Sequence, residues 1–482
     1  MITKMSSIFK SVLSALAIGG LLIFTSCKED PELPDNVVGF QSGELGITES
    51  EASLDVTITL SRAVSEAATI TISVEENDLV YGTDYTTTPE AVSNQITIPV
   101  PSGNTEVTFT VAKTEAALFD GDESLVFTII DASTSLVVGD DNQLTLTFSE
   151  IVAASGAMEI NGGGATYPNK VFIDLSANRQ TAIARTSWDL GFYTGDDFRV
   201  ILNSSNGMMA YALDKTDMNA VTNADTAVLR NMLSLEAVFA GITSSSVPDW
   251  VPNAINWIDD PTGDLDNTAI SEISATASEN KVYIVNRGSG PGTPATALGW
   301  KKIRIVRNGN GYTLQHADIA ATTFSEIQIT KNETYEFQYV SFATGAVSVE
   351  PPSDQWDIAW TGFTNSTNFG SGPVPYYFQD VILQNRDDVQ TVQILTSTKT
   401  YEAFSEADLA GLDFGTQSQV KIGSGWRSGG GPGVSPAVRT DRFYVIKDED
   451  DNYYKLKFTA LTTGGERGKP QVEFALIKQG ED

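Results

Sequence analysis

The stretch "TSWDLGF" at residues 186–192 returns in altered form as "DQWDIAW" at residues 354–360. Trp188 and Trp356 stand 168 residues apart (188 to 356), which is about the size of one domain and points to a duplicated unit. Alternate residues of a strand face opposite sides. The pattern therefore predicts that each Trp shares a buried face with the following Leu190 or Ile358. Asp189 and Asp357 would then tie down backbone amides on the other face. On this reading both Trp-Asp pairs are fold landmarks.

More landmarks recur in the same order. "NWI" at 256–258 answers to "GWR" at 425–427, "KVYIV" at 281–285 to "RFYVI" at 442–446, and "KKIRIV" at 301–306 to "YKLKFTAL" at 454–461. They predict two β-rich units, 160–330 and 331–482. Each carries a short helix candidate. "DTAVLRNMLSLEAVFAG" at 225–241 puts Val228, Met232, Leu235 and Phe239 on one face, with Asp225 as cap and Gly241 as terminator. "SEADLAGL" at 405–412 offers Ser405 as N-cap with Asp408 three residues on.

The N-terminal part has a different pattern. Lys4 and Lys10 precede an apolar run from Val12 to Phe24 that ends in "FTSC", so residues 1–26 read as a lipoprotein signal peptide. Cys27, the only cysteine, is the predicted lipidation site and leaves no partner for a disulfide. Residues 27–36 form a charged, proline-bearing tether. Lys28-Glu29-Asp30 resembles the signal that sends lipoproteins of Bacteroidota to the outer face of the outer membrane. The expected location is therefore the outer membrane, lipid-anchored and facing the exterior. The chain has 62 acidic and 30 basic residues and a formal net charge of −32. Such a field repels the phosphates of nucleic acids and anionic lipid surfaces.

From residue 37 to 150 the period is two. In "LDVTITL" Leu54, Val56, Ile58 and Leu60 alternate with Asp55, Thr57 and Thr59, and "TITISV", "VTFTV" and "LTLTF" repeat the pattern. This predicts an antiparallel β-sandwich. "GTDY" at 82–85, "FDGDESLVFTI" at 119–129 and "VVGDDNQLTLTF" at 137–148 resemble the Calx-beta family over about 110 residues. Calcium-binding members gather loop acids at one end of the sandwich. The resemblance thus implies Glu49, Asp84, Asp122, Glu123 and Asp140 as calcium ligands. Only Glu150 stands where the family usually has a run of acids, and the same side chains equally suit the capping of turns. The fold class as a whole is mainly β: a Calx-beta-like sandwich and two β-rich units with short helices.

The second unit resembles the HmuY family of surface lipoproteins through "QWDIAW", "RTDRFYVIKDEDDNYYKLKF" and "GGERGKPQVEFALI" at 464–477. The first keeps "VFIDL", "SWDLGF" and "NKVYIV". The founding branch of that family captures haem, which implies haem as a ligand here. Bis-histidine ligation within the chain is ruled out, because His316 is the only histidine. Where the bis-histidine branch has its first ligand, beyond the Trp-Asp strand, this chain has Tyr193 and Thr361. The remaining candidates by resemblance are Met208, Met209 and Tyr193. No GxSxG elbow surrounds a serine, zinc sites of the His/Cys type fail on residue count, and "GSGWRSGGGPG" at 423–433 lacks the ending of a phosphate loop. A non-enzymatic binding protein is the expectation. Two readings are open: capture of haem or a related small molecule, or adhesion to a glycan or protein through exposed loops.

Overall fold

The computed structural model describes residues 34–48, 51–77, 79–114, 123–148, 153–370, 372–430 and 434–480. The leader, Cys27, Glu49 and Asp122 lie outside them.

Alternation in the N-terminal region produces the expected sandwich. One sheet runs in the order Tyr85–Thr88, Glu106–Lys113, Ser53–Leu60, Val37–Phe40 and Val137–Val138. The facing sheet runs Glu44–Gly46, Gln143–Thr147, Ser124–Ala132, Ala68–Asn77 and Gln95–Val100. Leu54, Val56, Ile58 and Leu60 are all buried, and Phe109 meets Phe127 across the layers edge to face at 5.1 Å. The sandwich is not wholly antiparallel. Val37–Val38 pairs in parallel with Val137–Val138, and Glu44–Gly46 with Thr145–Thr147, because the first stretch of chain crosses from one sheet to the other.

Residues 153–480 form four stacked sheets. The first outer sheet contains Met209–Ala212, Val282–Asn286, Trp300–Asn308, Gly311–Asp318 and Ser325–Ile329. The first seam sheet contains Val200–Leu202, Leu190–Tyr193, Phe337–Ser341 and Gly345–Val347. The second seam sheet contains Arg179–Ala184, Asn169–Asp174, Ile358–Asn368 and Pro373–Gln384. The second outer sheet contains Ser155–Glu159, Gln471–Lys478, Tyr453–Ala460, Arg442–Lys447 and Gln390–Leu395. Each outer sheet packs on its seam sheet over one hydrophobic core. A third core joins the two seam sheets.

The two repeats are crossed in space. The hairpin Asn169–Ala184 precedes the first Trp-Asp in sequence yet pairs with the strand after the second, placing Phe172 opposite Ala359 and Ile173 opposite Ile358. Conversely Phe337–Ser341 precedes the second Trp-Asp and pairs with Leu190–Tyr193. The strand before each hairpin crosses too: Ser155–Glu159 joins Gln471–Lys478, while Ser325–Ile329 closes the first outer sheet. The spatial units are therefore 186–348, and 153–185 with 349–480, whereas the sequence repeats place the boundary near residue 330.

Two landmark expectations change. Trp257 packs on the outer face of the first outer sheet with Trp250 and Tyr211, whereas Trp426 lies between the second seam and outer sheets, stacked on Phe458 at 4.2 Å. They are not equivalent positions. The expected helix at 225–241 contracts to Leu235–Ile242, capped by the Ser234 hydroxyl, which accepts the Ala237 amide at 3.1 Å. Before it the chain makes 3₁₀ turns, and Asp225 accepts the Thr222 amide at 2.8 Å. Leu229, Leu233 and Val238 face inward, which leaves Val228 and Phe239 outside. Around Ser405 the expected cap is present, with Asp408 Oδ2 accepting the Ser405 amide at 2.9 Å ahead of the 3₁₀ turn Glu406–Gly411.

Candidate functional site

The Trp-Asp pairs lie at the entries to the two central seam strands and act as mirror anchors. Asp189 Oδ2 accepts the Phe342 amide at 2.7 Å, and Asp357 Oδ2 accepts the Leu175 amide at 2.7 Å; both amides end a crossed hairpin strand. Asn203 and Asn385 complete the match by donating to the carbonyls of Trp188 and Trp356, each at 2.8 Å. The acids thus do tie backbone amides, but across 153 and 182 residues of sequence. The indoles depart from expectation. Both turn into the seam between the units, Trp188 edge-on to Tyr339 at 4.8 Å and Trp356 edge-on to Phe172 at 5.0 Å, while Leu190 and Ile358 enter the separate inner cores.

The environments of the two acids differ in charge. Asp189 is held by Arg287, whose Nε donates to Oδ1 at 2.7 Å. Asp357 has Asp448 and Asp174 as neighbours, and burial, then these two carboxylates, push its carboxyl well above the usual range.

The seam core is not filled. A cavity of about 60 Å³ lies between the seam sheets, walled by Trp188, Tyr339, Trp356, Phe363 and Leu383, with Lys170 and Glu350 as its buried charges. Lys170 is 8% exposed, and its Nζ sits 4.4 Å from the centre of the Phe172 ring. Burial pulls its ammonium down, opposed by Glu350. Burial pushes Glu350 up; its carboxylate accepts the Phe337 amide and the Tyr339 hydroxyl, each at 2.8 Å. Asp259, at the rim, is pushed up to about 6 by burial, although the Leu202 and Ala269 amides donate to it. A lone lysine in an apolar strand carries no sequence signal, and Lys170 was not foreseen.

The residues implied for haem are not brought together. Met208 is in the core between the first outer and seam sheets, and Met209 is on the opposite face of the outer sheet, under the helical insertion. Both are at most 1% exposed. Tyr193 is half-buried beside Phe337, with ring centres 5.8 Å apart. His316 stacks on Phe342 at 5.5 Å, and burial pulls its imidazole down, toward the neutral form. Successive strand residues face opposite ways, so the adjacent methionines cannot converge on one iron, and these residues do not fit a haem site.

In the sandwich, Asp84 caps its own turn by accepting the Val80 amide at 2.8 Å. Glu123 is buried and Asp140 is exposed at the other side of the strand ends. Among the described residues no three acidic, histidine or cysteine side chains gather as a metal-binding group.

A second surface feature joins the units. The hairpin Ile358–Asn368 and Pro373–Gln384 extends beyond the seam, and the helix Leu235–Ile242 of the other unit packs against it. There Phe239, Phe369 and Tyr376 form a ring cluster with centres 5.5–6.1 Å apart, continued by Phe378 at 5.1 Å from Tyr376. Phe239 is 47% and Phe369 50% exposed. The signal available in the sequence was "NFGSGPVPYYF", a turn flanked by aromatics.

Residues 166–335 and 332–474 each match the family model of the HmuY protein. No curated protein sequence matches the chain. Among solved structures, the chain is similar to the apo-form Calx CBD1 domain, with 16% identity, 24% of this chain and 96% of that one covered, and a TM-score of 0.21. A two-domain protein of unknown function from Bacteroides fragilis gives 8% identity, 39% and 73% coverage and a TM-score of 0.18. A putative carbohydrate binding protein from Bacteroides ovatus gives 10%, 92% and 98%, and 0.17.

Proposed function

The chain belongs to the HmuY family, and from that premise we propose that it is a non-enzymatic binding protein, held on the outer membrane by a lipid on Cys27, that engages glycans through the Phe239–Phe369–Tyr376 cluster. The observation that carries this reading is the exposure of two large rings where the repeats meet. Exposed aromatic clusters of this kind mark binding surfaces. The negative face of an aromatic ring attracts the C–H groups on one side of a pyranose. Asn365, opposite Tyr376 in the ladder, supplies amide donors and acceptors beside the rings. Haem capture, the family's founding activity, has less support, since the buried Met208 and Met209 face different cores.

Native electrophoresis through gels containing soluble polysaccharides, such as xylan, glucomannan or mucin, tests the proposal. Retardation in at least one gel is expected, with loss of retardation by about tenfold in apparent affinity or more in Phe239→Ala/Phe369→Ala and an unchanged melting temperature. Haem titration of the same protein is expected to leave the spectrum of free haem. Failure of every polysaccharide to retard the protein, or equal retardation of the double variant, overturns the glycan reading; a saturable Soret shift restores the haem reading.

A further inference from the structure

The seam cavity makes a site independent of the aromatic cluster. Lys170 Nζ carries three donors, and among the described residues its one close partner is the Phe172 ring. Glu350 is committed to Phe337 and Tyr339, and among the described residues no carboxylate oxygen lies within the 4.0 Å of an ion pair from Nζ. Glu336, the next acid, is engaged with Arg386 at 3.2 Å. A lysine that is nine-tenths buried, its ammonium reached only from the cavity and without a protein acceptor, is costly. Space is left in front of it, about 60 Å³, and each water-sized occupant needs roughly 10–15 Å³ of such space. That is room for on the order of five heavy atoms. The rest of the lining is mixed: Trp188, Tyr339, Trp356, Phe363 and Leu383 suit a short hydrocarbon body, while Asp259, Asp260, Asp264 and Glu336, offset by Arg386, repel a dianion such as sulfate more strongly than a monoanion.

We propose that the seam between the two repeats binds a small monocarboxylate, its carboxylate on Lys170 and its alkyl end between Trp188, Trp356 and Leu383. The strand crossing explains why a single repeat lacks this site. Lys170 comes from the crossed hairpin of one repeat, Trp356 from the other repeat, and Trp188 and Tyr339 from the facing unit.

The test uses the purified protein with propionate, acetate and propylamine, read by intrinsic tryptophan fluorescence and thermal melting. Propionate is expected to give a saturable fluorescence change and to raise the melting temperature, since it binds the folded state alone. Acetate should act more weakly, and propylamine not at all. Lys170→Met should abolish the response while melting above the wild type without ligand, because the unpaired buried charge is gone. Lys170→Gln, which keeps a polar side chain of similar length, should lose at least tenfold in apparent affinity. No saturable response of the wild type at 50 mM propionate (about fiftyfold a 1 mM Kd), an equal response to propylamine, or an undiminished response in both variants overturns the proposal.

Discussion

At the scale of single residues, the two Trp-Asp acids do the same geometric job in opposite electrostatic settings. Asp189 neutralises Arg287 while holding the Phe342 amide. Asp189→Asn keeps an acceptor for that amide but leaves the guanidinium without its carboxylate, a loss of about 3–5 kcal/mol. Among the described residues Asp357 has no ion-pair partner, and it is crowded by Asp174 and Asp448. Asp357→Asn keeps the bond to Leu175 and removes a carboxyl that burial already disfavours, so its effect should fall within about 1 kcal/mol of zero. Urea melts of the two variants check this contrast; equal destabilisation would show that the acids are not differentiated by their neighbours.

At the scale of elements, the alternation of Leu54, Val56, Ile58 and Leu60 was legible because a strand's two faces are written into consecutive residues. The repeat of Trp-Asp was legible for the same reason. Which hairpin pairs with which Trp-Asp strand was not, since Asn169–Asp174 and Phe337–Ser341 each suit either partner by local pattern, and only tertiary contacts such as Phe172 on Trp356 select one. The candidate site suffered from the same limit. Met208 and Met209 look like ligands in sequence, but the pleat sends them to separate cores, and Lys170 acquires meaning only when two sheets close over it. The crossing makes its own prediction. A fragment of residues 186–348 holds every strand of one outer and one seam sheet, and should show a cooperative urea transition. A fragment of 160–330 lacks Phe337–Ser341 and carries a hairpin matched to the other unit, so it should aggregate or exchange strands between copies. A cooperative, monomeric 160–330 alongside an unfolded 186–348 would reverse the assignment of units.

At the scale of the whole molecule, the balance of charge and burial sets the response to pH. Burial pushes Asp259 and Asp448 up to about 6, and Glu449 up to about 8, and it also raises Glu350 and Asp357. The unfolded chain releases these protons near pH 4. Between pH 4 and 8 the folded state therefore binds more protons than the unfolded one, and stability, complete below the unfolded values, falls as pH rises through the folded ones. Asp225, Asp318, Asp408 and Asp441 are held low by lysine or arginine partners, Asp318 and Asp441 at exposed and Asp225 and Asp408 at half-buried surface positions where such pairs contribute little, and their effect is confined below pH 4. Lys170, lowered by burial, opposes the trend only in the alkaline range, above its folded value. The formal charge of −32 at pH 7 adds self-repulsion that grows as the remaining acids ionise. The melting temperature should accordingly be highest near pH 4.5 and drop by several degrees toward pH 8, and 1 M sodium chloride should recover part of that drop by screening exposed charge while leaving the buried carboxyls untouched. Differential scanning fluorimetry across pH 4.5–8.5 at low and high salt measures both components. A melting temperature that climbs steadily from pH 5 to 8 would mean that the buried acids find cations in solution that this arrangement of strands does not supply.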